Sequence, residues 1–271
     1  MSLLVAGTIS AGVVSAQSSK LEQFRSQNAE VAKLQPVMVT PLVAADPRLI
    51  QYVRIPFVNQ FTTTGQRTAI YGNGRGIGVI CKKRFEFDAY PPAYIQHNGS
   101  AKDGFGDTSV LAKYRIASAG AGHGNYILTA MLAHSFATGS ATNGARTDVF
   151  TPTLAGGVGL KHGDLISAIS GTLPTGKIAT QGRTIVYNNA AQWHVNRGTW
   201  LELENNSTFY FSGGHDGKTQ NFITPAAFYV IRAKNWKPTH PFFVVNTGMQ
   251  IATSGFHTYN HSLISELRIL F

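Results

Sequence analysis

Leu263-Ile-Ser-Glu-Leu-Arg-Ile-Leu-Phe271, the last nine residues, set how the rest of the chain is read. Leu263, Leu267, Ile269 and Phe271 fall on one side together with Ser265, while Glu266 and Arg268 fall on the other. Alternation with period two is the pattern of a strand that has one apolar and one polar face. A final strand with nothing after it leaves an unpaired edge, and a closed barrel has no edge. A soluble sandwich or jelly roll whose last strand ends the sequence is the other reading these residues allow.

Composition separates the two. Charged residues are 13% of the 271, against roughly 25% in ordinary soluble domains. Glycine is abundant at 28 residues, which suits a fold with many tight turns. Past the N-terminus no uninterrupted apolar run reaches the length of a membrane helix. A mean hydropathy of −0.04 is no objection to a membrane barrel, because alternating strands average their hydropathy away.

The chain carries 23 Lys and Arg against 13 Asp and Glu, a formal net charge of +10. Nucleic acid is the usual partner of such an excess, but here the basic residues are scattered. The densest run, Lys82-Lys83-Arg84, is followed at once by Glu86 and Asp88. The excess is therefore read as a basic lumen or as contact with anionic lipid, with no nucleic-acid partner. The single cysteine, Cys81, has no second cysteine in the chain to bridge to.

Residues 1–16, MSLLVAGTISAGVVSA, read as a signal peptide with small residues before Gln17. No Lys or Arg precedes the apolar run, a departure that fits either a truncated start or a flexible terminus. Residues 17–48 read as a periplasmic lead-in, polar and helix-compatible at first, then extended and punctuated by proline. The barrel is assigned to residues 49–271.

Within it, alternating runs follow one another between turn residues. Thr108, Val110, Ala112, Tyr114 and Ile116 oppose Asp107, Ser109, Lys113 and Arg115, with Leu111 on the latter side; Leu201, Leu203, Phe209 and Phe211 oppose Glu202, Glu204, Asn206 and Thr208. Strands are expected at about 50–61, 67–72, 77–89, 105–118, 124–138, 149–161, 164–176, 183–196, 199–212, 220–234, 241–253 and 262–271. Tight links such as Lys161-His-Gly-Asp164 and Asn196-Arg-Gly-Thr199 alternate with longer ones, about 90–104, 139–148, 177–182, 213–219 and 254–262. Short turns on one side and long loops on the other are the habit of outer-membrane barrels. The expectation is an all-β, closed antiparallel up-and-down transmembrane barrel of about twelve strands, its last strand closing on the first.

Several short motifs carry a resemblance. Gly104-Phe-Gly-Asp-Thr-Ser-Val-Leu-Ala-Lys-Tyr-Arg-Ile116, the Leu173-Pro-Thr-Gly176 ending, the Thr-Pro strand starts at 151 and 224, and the C-terminal Arg268-x-x-Phe271 are similar to the outer-membrane family named for the meta-pathway of phenol degradation. The likeness runs from about Pro36 to Phe271. One departure is Ala137-Thr-Gly139, where the family prefers Pro-Thr-Gly. The resemblance implies a bacterial outer-membrane barrel concerned with uptake of aromatic or other hydrophobic compounds.

Enzymatic and metal readings are weak. His134 and Ser135 are adjacent, so a strand points them to opposite faces and they form no dyad. His257 and His261 lie four apart, but in a loop, where that spacing fixes no metal geometry. Gly72-Asn-Gly-Arg-Gly-Ile-Gly78 mimics a phosphate loop, yet no helix pattern follows it, so its glycines are assigned to a turn and a tight strand. No enzyme activity and no cofactor are expected.

What remains is the polar face: Arg84, Glu86, Asp88, Asp107, Lys113, Arg115, Glu202, Glu204, Arg232, Glu266 and Arg268 all point one way in these registers. In a barrel they would fill the lumen, as a basic, anion-favouring route or as a salt-bridged plug. The functional reading is a passive outer-membrane channel for small solutes; a structural or adhesive barrel is the alternative. Its partners would be outer-membrane lipid and the barrel-assembly machinery, with Phe271 as the assembly signal.

Overall fold

The computed structural model describes residues 26–232 and 241–271. The segment assigned to a signal peptide, and the start of the lead-in, lie outside these residues.

Fifteen strand segments make one sheet: β1 (Tyr52–Phe61), β2 (Arg67–Tyr71), β3 (Gly76–Lys82), β4 (Phe85–Tyr90), β5 (Tyr94–His97), β6 (Gly104–Phe105), β7 (Thr108–Ala119), β8 (Tyr126–Phe136), β9 (Val149–Gly159), β10 (Gly163–Pro174), β11 (Thr184–His194), β12 (Thr199–Tyr210), β13 (Thr219–Ile231), β14 (Phe242–Ala252) and β15 (His261–Leu270). From β7 onward each pairs antiparallel with the next. β15 returns to β1 over ten pairs, from Tyr52 opposite Leu270 to Phe61 opposite His261, and the sheet closes.

Three spans are broken in two, so the fifteen segments make twelve crossings. β2 and β3 both pair with β1, at its far and near halves, and are one bent strand. β4 and β5 continue each other in the same way, as do β6 and β7. The expected count of twelve stands, but two of its boundaries move. The glycine run at 72–78 is a kink inside one crossing, not a hairpin, with Gly72 and Gly74 at φ values of 81° and 74° that only glycine adopts readily. The hairpin falls instead at Lys83-Arg84, and 94–97, read as loop, is strand.

The kink has a neighbour. Pro91-Pro92 interrupts the next strand, where proline cannot donate to the ladder, and the Arg75 guanidinium donates to the Pro92 carbonyl at 2.9 Å across the gap. Gly78 has a separate reason. A Cβ there would lie 2.4 Å from the Tyr52 ring and 2.7 Å from an Asp88 oxygen, so the missing side chain makes room for both groups inside the barrel.

Connections alternate as expected, with tight turns at 83–84, 120–125, 160–162 and 195–198 and loops at 98–103, 137–148, 175–183, 211–218 and 253–260. The start of β1 and the end of β15 lie at the turn end. Alternation decides what faces out. Along β12, Leu201 and Leu203 are 47% and 45% exposed while Glu202 and Glu204 between them are 3% and 0%. Ile55, Phe87, Leu132, Leu154, Ile169 and Val245 continue that exposed belt round the barrel. Such a belt is stable in lipid and costly in water, which excludes the soluble sandwich. No described helix is long and apolar enough to cross a membrane.

Candidate functional site

The lumen is occupied by the chain itself. Residues 35–51, which take in the second half of the segment 17–48 expected as a periplasmic lead-in and the first three residues assigned to the barrel, run inside it before turning into β1. Met38, Val39, Leu42, Ala44, Leu49 and Ile50 are buried there, and most of them pack with Trp200, Ala226, Phe228, Val230, Val244 and Leu270 of the wall. Gly248 is where the wall gives way to the plug: a Cβ there would come within 2.5 Å of the Leu42 side chain.

The polar grip on this plug is mostly through its main chain. Glu202 accepts the N–H of Leu42 at 3.1 Å, and Glu204 accepts those of Val43 and Ala44, each at 2.8 Å. Glu86 accepts the N–H of Ile50. In the opposite sense, the Arg268 guanidinium donates to the carbonyls of Thr40 and Pro41 at 2.5 and 2.8 Å. Gln192 donates to the Val39 carbonyl at 2.9 Å, Thr129 to that of Pro47 at 2.5 Å and Lys113 to that of Arg48 at 3.3 Å. The plug braces itself through the ion pair of Arg48 with Asp46 at 2.6 Å. An extended segment inside a barrel has no ladder of its own, so its N–H and C=O groups need partners from the wall.

Among the expected lumen residues, eight lie buried on the inner face: Glu86, Asp88, Lys113, Arg115, Glu202, Glu204, Glu266 and Arg268. Lys113 meets Glu86 at 2.8 Å, and Glu266 meets both Arg268 and Arg54, the latter at 2.5 Å. Asp88 accepts from the Tyr52 and Tyr90 hydroxyls at 3.0 and 2.7 Å. Arg115 holds the turn end, donating to the Lys83 carbonyl at 2.6 Å.

Three expected residues are elsewhere. Arg84 is exposed in the β3–β4 turn, because the single strand expected over 77–89 is broken by that hairpin. Asp107 sits at the loop end, accepting the N–H groups of Gly139 and Ala145 at 2.7 Å each and pinning that loop. Arg232 is exposed just beyond β13, its guanidinium 5.1 Å from the centre of the Phe242 ring.

The charge of the lumen also differs from the expectation. Among the described residues its fully buried ionisable groups are seven carboxylates (Asp46, Glu86, Asp88, Asp164, Glu202, Glu204 and Glu266) against four cations (Arg48, Lys113, Arg115 and Arg268), with the half-buried Arg54 a fifth cation on the same face. The basic excess lies in exposed turns and loops, at Lys82, Lys83, Arg84, Lys102, Arg146, Lys161, Lys177, Arg183, Arg197 and Lys218. Exposed cations keep their water, whereas inside the barrel Arg48, Lys113 and Arg268 pair with carboxylates and Arg115 donates to main-chain carbonyls.

The β14–β15 loop turns inward at the other end. Tyr259 stacks on the buried Phe222 at 4.6 Å and donates to Gln250, and the Thr258 N–H donates to Gln220 at 2.7 Å. His134 points away from the lumen, between the rings of Phe136 and Phe150, with Nε2 3.1 Å from Asp148. The Ala137 N–H and His134 hold the Asp148 carboxyl below the usual range. Among the described residues no three His, Cys, Asp or Glu side chains gather as a metal site.

A closed twelve-crossing barrel, apolar outside and charged inside around an internal segment, has known counterparts. The chain is similar in fold to outer-membrane channels. An outer membrane channel from Pseudomonas putida F1 superposes with a TM-score of 0.57 at 13% identity, over 86% of this chain and 100% of that one. The NanC porin gives 0.51 at 7% identity, over 82% and 98%. No protein-family description and no curated protein matches the sequence.

The plug, and Tyr52 and Arg54 of the wall, were not among the residues expected from the sequence. Tyr52 and Arg54 were within reach, since the alternation of β1 turns them inward with Pro56, Val58 and Gln60. Asp46 and Arg48 were not, because residues 35–51 follow no period.

Proposed function

We propose that this chain is a bacterial outer-membrane channel for passive passage of small solutes, and that residues 35–51 narrow its lumen to a path beside the plug. The observation that carries this is the pairing of a lipid-fit outer belt with an inner face that is polar, charged and not filled throughout. Two cavities remain between plug and wall, of about 280 and 420 Å³. The aromatic and hydrophobic compounds implied by the resemblance suit the second, which Trp200, Phe242, Val230 and Val244 help to line. Outer-membrane lipid is the partner of the belt, and the barrel-assembly machinery that of the terminal strand.

Reconstitution of the purified protein into liposomes, with influx of small solutes followed over time, tests the reading. Flux above that of protein-free liposomes is expected. Flux no greater than in those liposomes would overturn it in favour of a structural or adhesive barrel, for which the closely held plug is the favouring feature.

A further inference from the structure

The two cavities touch. One, of about 280 Å³, lies mid-barrel on the side of Tyr52, Arg54, Lys113 and Asn188, with Val43 and Asp46 of the plug facing them. The other, of about 420 Å³, lies toward the turn end between Met38 and Leu49 of the plug and Trp200, Val230, Phe242 and Val244 of the wall. Thr40, Ile50, Arg268 and Leu270 line both. They are the partition, two residues from the plug and two from β15.

The Ile50 backbone N–H goes to Glu86 of the wall, but of these four only Arg268 ties wall to plug through its side chain. Its guanidinium reaches from Glu266 on its own strand to the carbonyls of Thr40 and Pro41. The bonds to Glu266 hold the group on the wall. Those to the two plug carbonyls are bonds to neutral oxygens, and another neutral oxygen can replace them without leaving a buried charge unpaired.

We propose that the two cavities are consecutive chambers of one permeation path, that Arg268 is the door between them, and that the solutes are small neutral molecules with an apolar body and a hydrogen-bond acceptor. This rests on the channel reading above. Neutrality follows from the walls. Arg54 is paired with Glu266, Lys113 with Glu86 and Arg48 with Asp46, so a charged solute would lose its water beside ion pairs that are already closed. The smaller chamber sets the size: at ~30 Å³ per water it has the room of roughly nine waters, a solute on the order of ten non-hydrogen atoms. The acceptor is needed to take the N–H groups that Arg268 withdraws from the plug, and the apolar body suits the larger chamber.

The test uses the full chain in planar bilayers, as wild type, Arg268→Ala, Arg268→Gln and the double variant Glu202→Gln/Glu204→Gln, each checked for folding by its heat-modifiable gel shift. Arg268→Ala is expected to raise conductance at least tenfold, with Arg268→Gln between it and wild type. In the partly opened Arg268→Gln channel, whose amide still donates at the door, ε-caprolactam, neutral and bearing one carbonyl, should reduce the current, and hexanoate at the same concentration should not. If the double variant conducts while Arg268→Ala stays at the wild-type level, the channel reading stands and the door is refuted. If no folded variant conducts, both fall. Block by hexanoate as strong as that by ε-caprolactam refutes the neutral solute class.

Discussion

Glu204 accepts the backbone N–H of Ala44 at 2.8 Å, joining two residues that are 160 positions apart in the chain. Its other oxygen takes the N–H of Val43. One buried side chain in the middle of β12 thus holds two successive amides of the plug, with Glu202 holding the amide before them.

Glu204→Gln leaves one acceptor where there were two and places an NH₂ against a backbone N–H. A hydrogen bond to a charged group contributes about 1.5–3 kcal/mol, so losing one weakens the hold on the plug by about tenfold to a hundredfold. Hydrogen exchange at residues 40–50 should accelerate by that factor, while amides of β7–β9 keep their protection. Unchanged exchange across the plug would show that its apolar packing alone retains it.

Gly248 tests that packing from the wall side. A methyl group there would meet Leu42 at 2.5 Å, Ala226 Cβ at 2.8 Å and the Pro225 carbonyl at 2.9 Å. Overpacking of this kind costs about 1–3 kcal/mol. Gly248→Ala is expected to raise the protease sensitivity of residues 35–51 while leaving the barrel resistant. Equal resistance in plug and barrel would mean that Leu42 simply turns aside.

Asn246 lies opposite Glu266 in the β14–β15 ladder, fully buried, with neither atom of its side-chain amide hydrogen bonded. An unpaired buried polar group costs about 1–3 kcal/mol. Asn246→Leu should therefore raise the denaturant midpoint for unfolding from detergent micelles. A lowered midpoint would show that the amide serves a partner in the folded protein.

The inner face predicts ion preference. With seven buried carboxylates against four buried cations and the half-buried Arg54, a conducting state under a salt gradient should show weak cation preference or none. A reversal potential of clear anion selectivity would place the controlling charges in the exposed basic loops.

Phe271 closes the seam as well as the sequence. Its N–H donates to the Gln51 carbonyl at 3.0 Å, beyond the last register pair of Tyr52 with Leu270. Deleting Phe271 is expected to lower the yield of heat-modifiable protein in the membrane, through loss of the terminal aromatic that the assembly machinery would read. Normal yield would remove that role from it.

The sequence by itself determined the number of crossings and, along most of them, which side chains face inward, because period two is forced by the pleat. Leu201 to Thr208 and Leu263 to Phe271 could be assigned to their faces from the letters alone. At the kink the letters misled: Gly72 to Gly78 looks like a turn, and only the ladders on both halves of β1 show one bent strand. The plug was decided by tertiary structure alone. Its residues are held chiefly by main-chain N–H and C=O groups, which every sequence possesses, so no pattern in 35–51 announces that Glu86, Glu202, Glu204 and Arg268 are its partners. The same cause hid the sign of the lumen. Net charge is a sum over the whole chain, and only the closed barrel sorts seven carboxylates to the inside and leaves most of the basic residues in water.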